Sequence, residues 1–259
     1  MTFKRISFLG LPLDVGGDVD TLCRVLREKK KSRLIACVGP GAWMLAGKDP
    51  QYAAALEQMS LVLPNGFGVA LACRFLTEEN CHSFGFDDLT FATAFFETVV
   101  ESKLKFALAG GAPGVDEEIH TKLGLRYPGL NIVYTTHGYG DFAPKVAALK
   151  AKTPDIVMVG MGAPRQEAFL MALQDADFKG AVITCDGFID DFDHYPAVLQ
   201  GDPCPGWVDR WHLRHLYLLY KRPQKLWRRY LIDYPSFFML SFKTLLSRPL
   251  EKGAGRRRK

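Results

Sequence analysis

The chain has 259 residues, of which 48% are hydrophobic and 24% charged, and this composition excludes wholesale disorder and suits one large domain with or without an appendage. It has no apolar run of about 18 residues and no signal peptide, so we predict no membrane-spanning helix and a cytoplasmic location. Six cysteines without a C-x-x-C pair argue against a zinc cluster or a disulfide framework. The formal net charge of +5 comes entirely from residues 205–259, which carry 14 Lys or Arg and three acidic residues, whereas residues 1–204 carry 19 basic and 25 acidic ones.

The body of the chain, residues 1–204, alternates short apolar runs with segments of helical periodicity. The runs that we interpret as buried strands are 6–9, 34–38, 61–63, 106–109, 132–134, 156–159 and 181–184. The predicted helices are 19–28, 50–59, 67–76, 89–102, 113–127, 144–151 and 164–175. Strands that alternate with helices at this spacing predict an α/β fold with a mostly parallel sheet and helices on both faces.

Four glycine-rich loops follow predicted strands, at residues 64–68, 110–114, 160–167 and 185–191. In a parallel sheet, ligands bind at the carboxyl ends of the strands, where glycine lets the backbone approach a ligand and helix N-termini favour phosphate. Any one loop could be only a tight turn, but four of them at strand ends predict a nucleotide cleft. The chain lacks the G-x-G-x-x-G and G-x-x-x-x-G-K-[ST] fingerprints, which argues against a dinucleotide site and a P-loop.

Polar side chains stand in two of these loops. The Gln166 amide can both donate to and accept from a sugar hydroxyl or a phosphate. Glu167 beside it is explained either by its favourable interaction with the dipole at a helix start or by a role in the cleft, and both interpretations stay open. Asp186, Asp190 and Asp191 bring carboxylates to another strand end, where one of them could serve as a general base; the alternative is a solvated turn.

Aromatic and basic side chains interleave between residues 207 and 242. Trp and Tyr beside Lys and Arg is the composition of an interfacial membrane helix, in which each basic residue near an anionic surface contributes about 1 kcal/mol. We therefore predict a basic, helical, membrane-associating appendage at 205–248 and a disordered basic tail at 249–259. The predicted membrane contacts are Trp211, Arg214, Lys225 and Trp227. Two alternatives are a core-packing helix with solvated cations and a nucleic-acid-binding α/β protein.

Several segments together carry a resemblance to a known family. They are Asn65-Gly66 with Arg74 downstream, 85–89, 108–115, the run VGMGAPRQE at 159–167, and 223–231. In this order they resemble the WecG/TagA/CpsF family, glycosyltransferase family 26. The resemblance implies a Rossmann-like catalytic domain with a C-terminal appendage. It also implies inverting, metal-independent transfer from a UDP-sugar to a sugar on polyprenyl (undecaprenyl) diphosphate, in teichoic acid, exopolysaccharide or other bacterial surface-polysaccharide biosynthesis.

The chain departs from the family pattern at position 65. Family members usually carry Asp-Gly where this chain has Asn65-Gly66, and that Asp is the favoured general base. An asparagine cannot accept a proton at neutral pH and can only orient a hydroxyl. Three explanations stay open. The base has moved, with Asp186 and Asp190 as candidates; the chain belongs to a subgroup with different substrates; or it is a catalytically altered member that acts as a scaffold in polysaccharide assembly.

The cleft and the resemblance together define the predicted site. Its catalytic residues are Asn65, Gln166, Asp186 and Asp190. Its donor-binding residues are Gly66, Gly110, Gly111, Gly162, Pro164, Gln166, Arg222, Arg228 and Arg229. We expect no metal or other cofactor, with arginines in place of a divalent cation on the diphosphate. The expected partners are a UDP-sugar, a polyprenyl-diphosphate-linked acceptor and the anionic inner face of the cell membrane, with a homo-oligomer left open and nucleic acid not expected.

Overall fold

A computed structural model of the protein describes residues 2–29, 31–86, 89–189 and 234–247. Its main sheet has six strands: β3 (Arg33–Val38), β4 (Leu61–Pro64), β5 (Lys105–Gly110), β6 (Asn131–Thr136), β7 (Ile156–Gly160) and β8 (Ala181–Thr184). The strand order is β4-β3-β8-β7-β5-β6, and each neighbouring pair is parallel. The predicted parallel sheet is therefore confirmed.

Helices connect these strands. They are α1 (Val19–Leu26), α2 (Pro40–Ala46), α3 (Pro50–Gln58), α4 (Phe67–Thr77), α5 (Leu89–Glu101), α6 (Val115–Arg126), α7 (Phe142–Lys152), α8 (Arg165–Asp175) and α9 (Tyr234–Ser247), with a 3-10 turn at Asp186–Phe188. Local chemistry explains where several begin. The Asp18 side chain accepts the Thr21 N–H at 2.8 Å at the start of α1, and Asp49 caps α3 in the same way ahead of Pro50. The predicted helices 19–28, 50–59 and 164–175 match within two residues at each end.

Each strand of the main sheet sends alternate side chains to opposite faces, as the two-residue period of a strand requires. On β3, Leu34, Ala36 and Val38 join one hydrophobic cluster, whereas Ile35 and Cys37 join the other. Helices α2, α3, α4, α7 and α8 cover the first face, and α1, α5 and α6 cover the second. The structure thus confirms helices on both faces.

The first predicted strand, residues 6–9, is not part of the main sheet. Residues 6–9 were expected to form a buried strand, but β1 (Lys4–Phe8) lies outside the main sheet and pairs antiparallel with β2 (Leu11–Val15). Only Phe8 of β1 is buried. The tight turn at Leu9-Gly10, with both residues at positive φ, is the geometry that suits a two-residue hairpin. The sequence did not reveal β2, since a proline within an apolar run argues against a strand.

A buried carboxylate joins this hairpin to the main sheet. Asp14 on β2 is 4% exposed, and its Oδ2 accepts the Val62 N–H of β4 at 2.7 Å and the Arg5 Nη2 of β1 at 2.8 Å. Arg5 also donates to the carbonyl oxygens of Met59 and Ser60. Asp14 therefore links the hairpin to the edge strand β4 through a hydrogen bond, and its ion pair with Arg5 holds the carboxylate in place.

The C-terminal helix α9 packs onto the body against α2 and α4. Phe237 is fully buried, with its ring centroid 5.2 Å from that of Trp43 and 6.4 Å from that of Phe8. On the same helix Met239 and Phe242 are more than half exposed. Phe237 therefore packs α9 onto the body, while the membrane-associating role of the predicted appendage stays a prediction; residues 205–233 and 248–259 lie outside the described part. Within the described ranges, every helix is too short or too polar to cross a bilayer.

Candidate active site

The strand order brings three of the predicted glycine-rich loops (64–68, 160–167 and 185–191) together with the loop after β3 at the carboxyl edge of the main sheet. Strands β4, β3, β8 and β7 are neighbours, so the loops that follow them stand side by side along that edge. Asn65 follows β4, Asp186 follows β8, and Gln166 lies in the first turn of α8 after β7. Three of the four predicted catalytic residues therefore meet, although they are up to 121 positions apart in sequence.

These three side chains form one hydrogen-bonded cluster around a carboxylate. Asn65 Nδ2 donates to Asp186 Oδ2 at 2.6 Å, and Gln166 Nε2 donates to Asp186 Oδ1 at 2.7 Å. Gln166 Nε2 also donates to Glu167 Oε1 at 3.0 Å. Each oxygen of the Asp186 carboxylate thus has an amide donor, which holds its plane in one orientation.

Burial makes this cluster electrostatically unusual. Gln166 and Glu167 are at most 1% exposed and Asn65 is 6% exposed, whereas Asp186 is half-buried. Burial is the main cause that raises the pKa of Glu167 to about 7; the hydrogen bond from Gln166 opposes the rise, and the charge of Asp186 adds to it. A carboxyl group with a pKa near neutrality is typical of functional sites.

Three buried acceptor oxygens of the cluster have no hydrogen-bond donor among the described residues. They are Asn65 Oδ1, Gln166 Oε1 and Glu167 Oε2. An unsatisfied buried acceptor costs about 1–3 kcal/mol, and native proteins keep few of them. Three such acceptors in one cluster therefore distinguish it from an ordinary packed core.

Two cavities border the cluster. The first, of about 330 Å³, is lined by Asp186, Ala163 and Tyr52 together with the segment 37–42 and Leu45. The second, of about 530 Å³, lies between α3 and α8 and is also lined by Tyr52, with Glu167, Phe142 and Arg165. Tyr52 is 3% exposed and stands between the cavities; burial raises its pKa above the ordinary value, with Glu167 and Asp186 adding to the effect. Sequence analysis missed Tyr52, because an aromatic residue inside a predicted helix carries no signal beyond core packing.

The predicted donor-binding glycines occupy the same edge with packing roles that the structure shows directly. A Cβ on Gly110 would lie 2.2 Å from the Gly160 carbonyl oxygen, so only glycine fits there. The Gly111 N–H donates to that same oxygen at 3.1 Å. Gly110 therefore lets the ends of β5 and β7 approach each other, whereas a Cβ on Gly111 would meet Ile189 and Val115. The contact of either glycine with a donor stays a prediction.

The other loop residues predicted for donor binding help to shape the cluster. The Gly66 N–H donates to Ser83 Oγ at 2.9 Å, which anchors the turn that carries Asn65. The Gly162 carbonyl accepts the Gln166 backbone N–H at 3.0 Å, and Pro164 occupies the N-cap position of α8. Gly66, Gly162 and Pro164 thus position the two amide side chains, and their contact with a donor is likewise untested.

Comparison with known proteins identifies the family. The sequence model of the glycosyl transferase WecG/TagA/CpsF family matches residues 6–251, which is most of the chain. The chain belongs to the WecG/TagA/CpsF family of glycosyl transferases. The resemblance that the strand-end motifs indicated is confirmed, and the protein is a glycosyltransferase.

Named relatives of this family member come from three bacteria. It is 27% identical over 205 residues to the N-acetylglucosaminyldiphosphoundecaprenol N-acetyl-beta-D-mannosaminyltransferase of Bacillus spizizenii, covering 79% of this chain and 77% of the relative. It is 27% identical over 230 residues to the enzyme of the same name from Bacillus subtilis, covering 87% and 85%. It is 25% identical over 221 residues to the UDP-Gal:alpha-D-GlcNAc-diphosphoundecaprenol beta-1,4-galactosyltransferase of Shigella boydii, covering 83% and 88%.

Several predicted site residues of this glycosyltransferase lie outside the described residues. They are the base candidate Asp190, the donor-binding residues Arg222, Arg228 and Arg229, and the membrane contacts Trp211, Arg214, Lys225 and Trp227. In the part of the chain that the structure describes, no group of three His, Cys, Asp or Glu side chains is placed to hold a metal ion. Metal independence stays a prediction.

Proposed function

We propose that the protein is an inverting glycosyltransferase that moves a sugar from a UDP-sugar to a polyprenyl-diphosphate-linked sugar in bacterial surface-polysaccharide, exopolysaccharide or teichoic acid biosynthesis. The names of all three relatives contain GlcNAc-diphosphoundecaprenol or its N-acetylglucosaminyl form, which supports this acceptor class. The observation that carries the proposal is the Asp186 carboxylate, which two amides hold at the wall of a cavity at the carboxyl edge of the sheet.

In this reaction Asp186 acts as the general base. Its carboxylate takes the proton of the acceptor hydroxyl while that oxygen forms a bond to the anomeric carbon of the donor sugar. The bond between that carbon and the UDP oxygen breaks, and UDP leaves with its electron pair. Asn65 and Gln166 direct the carboxylate through one hydrogen bond to each oxygen. Asn65 therefore serves the relocated base, which explains how an amide can stand where family members usually carry the base itself.

Replacement of Asp186 tests this assignment. We expect Asp186→Asn to lower kcat by at least about 100-fold, because general-base catalysis contributes on the order of 10²–10⁴-fold. Turnover is measured as UDP release and as extension of a short-chain polyprenyl-diphosphate-GlcNAc, after a panel of UDP-sugars has identified the donor. Asp190→Asn tests the other predicted base in parallel. If neither substitution lowers turnover by about tenfold, the base lies elsewhere.

A matched control separates loss of the base from damage to the backbone. Asp177 is also an aspartate at positive φ, but it lies exposed after α8 and pairs with Lys179. Asp177→Asn makes the same chemical change far from the cavity, and we expect its kcat to stay within about twofold of wild type. Equal losses in both variants would contradict a catalytic role for Asp186.

The membrane part of the proposal concerns the basic C-terminal segment. Its 14 Lys or Arg residues, the lipid-linked substrates in the relatives' names and the exposed Met239 and Phe242 of α9 support reversible docking on the inner face of the cell membrane. Flotation with vesicles that contain anionic lipid, compared with neutral vesicles, tests it. Because Phe237 packs in the core, the suitable variants are a truncation after residue 247 and Phe242→Ser, rather than removal of all of 205–259. Binding that is equal with neutral vesicles, or absent, contradicts the proposal.

The remaining alternative is a catalytically altered scaffold, favoured by Asn65. It predicts that UDP-sugars bind without transfer to any polyprenyl-diphosphate-linked acceptor. Salt-sensitive binding of RNA or DNA by the basic segment would support the nucleic-acid alternative instead. Transfer that is lost on substitution of Asp186 excludes the scaffold.

A further inference from the structure

Glu167 is a buried carboxyl group that the reaction described above does not use. It lies in the first turn of α8, 1% exposed, and its one recorded side-chain donor among the described residues is the neutral Gln166 amide. A carboxylate that only favours the helix dipole could lie at the surface, where water would solvate it. A buried one that ionises is unfavourable unless it is paired, so its position needs another explanation.

We propose that Glu167 is a positioning residue for the transfer reaction, which fixes the Gln166 amide on Asp186 and keeps a second negative charge beside that base. This inference rests on the proposed function, in which Asp186 is the base. It assigns a task to a residue whose side chain contacts another side chain of the site and not the reacting atoms.

The hydrogen bonds show how Glu167 orients its neighbour. The Gln166 amide nitrogen has two hydrogens; one points to Asp186 Oδ1 at 2.7 Å and the other to Glu167 Oε1 at 3.0 Å. If the amide turned over, its oxygen would face both acidic side chains. Glu167 therefore stabilises the orientation in which Gln166 donates to the base.

Charge supplies the second part of the role. Amide donors stabilise the ionised form of Asp186 and so weaken it as a base. A neighbouring ionised carboxylate acts in the opposite direction, and the two groups influence each other reciprocally. The charge of Asp186 contributes to the raised pKa of Glu167, so ionised Glu167 must raise the proton affinity of Asp186.

Two other titratable groups near the pair, both within the described part of the chain, are Tyr52 and Cys37. Tyr52 on α3 and Cys37 on β3 both have pKa values above their ordinary ranges, mainly through burial, and stay neutral at physiological pH. On α8 itself, Arg165 donates to the carbonyl oxygens of Gly138 and Gly140 and stacks on Phe142. Among the described residues, no Lys or Arg is recorded in an ion pair with Glu167.

Kinetics across pH 5 to 9 test the proposal. We expect Glu167→Gln to lower kcat by about tenfold near pH 8, with KM for the acceptor within about threefold, and to move the acid limb of the kcat profile to lower pH. In wild type, protonation of Glu167 near pH 7 removes the charge that strengthens Asp186 as a base, so kcat falls there. A neutral glutamine removes this step and leaves only the fall caused by protonation of Asp186 itself. Glu167→Asp keeps the charge and should retain the position of the limb. A role confined to packing would lower kcat without moving it, and that result, or a wild-type profile, overturns the proposal.

A second measurement does not depend on turnover or on the folding of the Glu167→Gln variant. Carbon-13 NMR of side-chain-labelled glutamate follows the Glu167 carboxyl during a pH titration of wild type and of Asp186→Asn. We expect the Glu167 midpoint near pH 7 in wild type and a clear fall in the variant, which lacks the neighbouring charge. An unchanged midpoint contradicts the coupling. If Asp186→Asn keeps full activity, the proposed base fails; if it is inactive while the Glu167 midpoint does not move, only the present inference fails.

Discussion

Asp14 and Glu167 are both buried acidic residues, and the protein treats them in opposite ways. Asp14 has a guanidinium and a backbone N–H on one oxygen, at 2.8 Å and 2.7 Å, and it joins the hairpin to β4. Glu167 is more deeply buried, accepts from the neutral Gln166 amide rather than from a cation, and leaves Oε2 without a donor among the described residues. The contrast teaches that burial of a carboxyl group alone does not reveal its purpose. The hydrogen-bonding and charge partners of the carboxyl group determine whether it stabilises the fold, as Asp14 does, or keeps a pKa near neutrality, as Glu167 does.

Removal of the structural carboxylate should have the largest effect on stability. We expect Asp14→Ala to lower the free energy of unfolding by about 3 kcal/mol, because Arg5 loses its charge partner and the buried Val62 N–H loses its acceptor. Urea denaturation at pH 7 measures the change, with Asp20→Ala on the exposed surface of α1 as the control. Turnover below the melting range should stay near wild type. A loss of less than about 1 kcal/mol would contradict a structural role for Asp14.

Removal of the Glu167 carboxyl group should instead stabilise the protein, and only at high pH. The folded-state pKa of Glu167, about 7, lies above its ordinary value of 4.5, so between these values the folded protein holds a proton that the unfolded chain has released. Wild-type stability therefore falls as pH rises through that window. We expect Glu167→Gln to raise the free energy of unfolding by about 2 kcal/mol at pH 8 and to change it little at pH 4.5.

Urea denaturation of both proteins at the two pH values measures this difference. Glu101→Gln, an exposed change at the end of α5, serves as the control that should show no such pH dependence. Equal effects of Glu167→Gln at both pH values would mean that Glu167 has no raised pKa.

The smallest expected stability change comes from a substitution that tests the role of Asn65. Asn65→Asp places a third carboxyl group where an amide now donates to Asp186 at 2.6 Å, so a hydrogen bond becomes a repulsion between like charges. We expect a loss of about 1 kcal/mol at pH 8, a smaller loss at pH 5, and no gain in turnover. Higher turnover in this variant would show that position 65 can still carry the base, and would contradict the relocation to Asp186.

The candidate site shows how far sequence reasoning could go. Glycine-rich loops after apolar runs pointed to Asn65, Gln166 and Asp186, because parallel strands place their carboxyl ends on one edge. The same reasoning left Glu167 undecided and missed Tyr52. Helical periodicity says which side of a helix is apolar, but it does not say whether a polar side chain at its start faces solvent or a neighbouring strand end.

The fold shows the same division. Apolar runs are sufficient to locate the strands β3 to β8, because a strand buried on both faces needs no polar alternation. The hairpin strand β2 escaped because it contains a proline, and α2 escaped because it has only seven residues. Both contribute to the hydrophobic cluster that includes Phe8, Trp43 and Phe237. Such contacts join residues that are almost 200 positions apart, beyond the reach of any local pattern.

By itself, the sequence determined the parallel α/β architecture, the uneven charge and the family, because these follow from periodicity, composition and ordered motifs. Only the tertiary structure decided that Asn65 and Gln166 both donate to Asp186, that Glu167 is buried behind them, and that Asp14 has a cation where Glu167 has none among the described residues. The physical reason is that the charge state and orientation of a side chain depend on burial and on partners from distant segments.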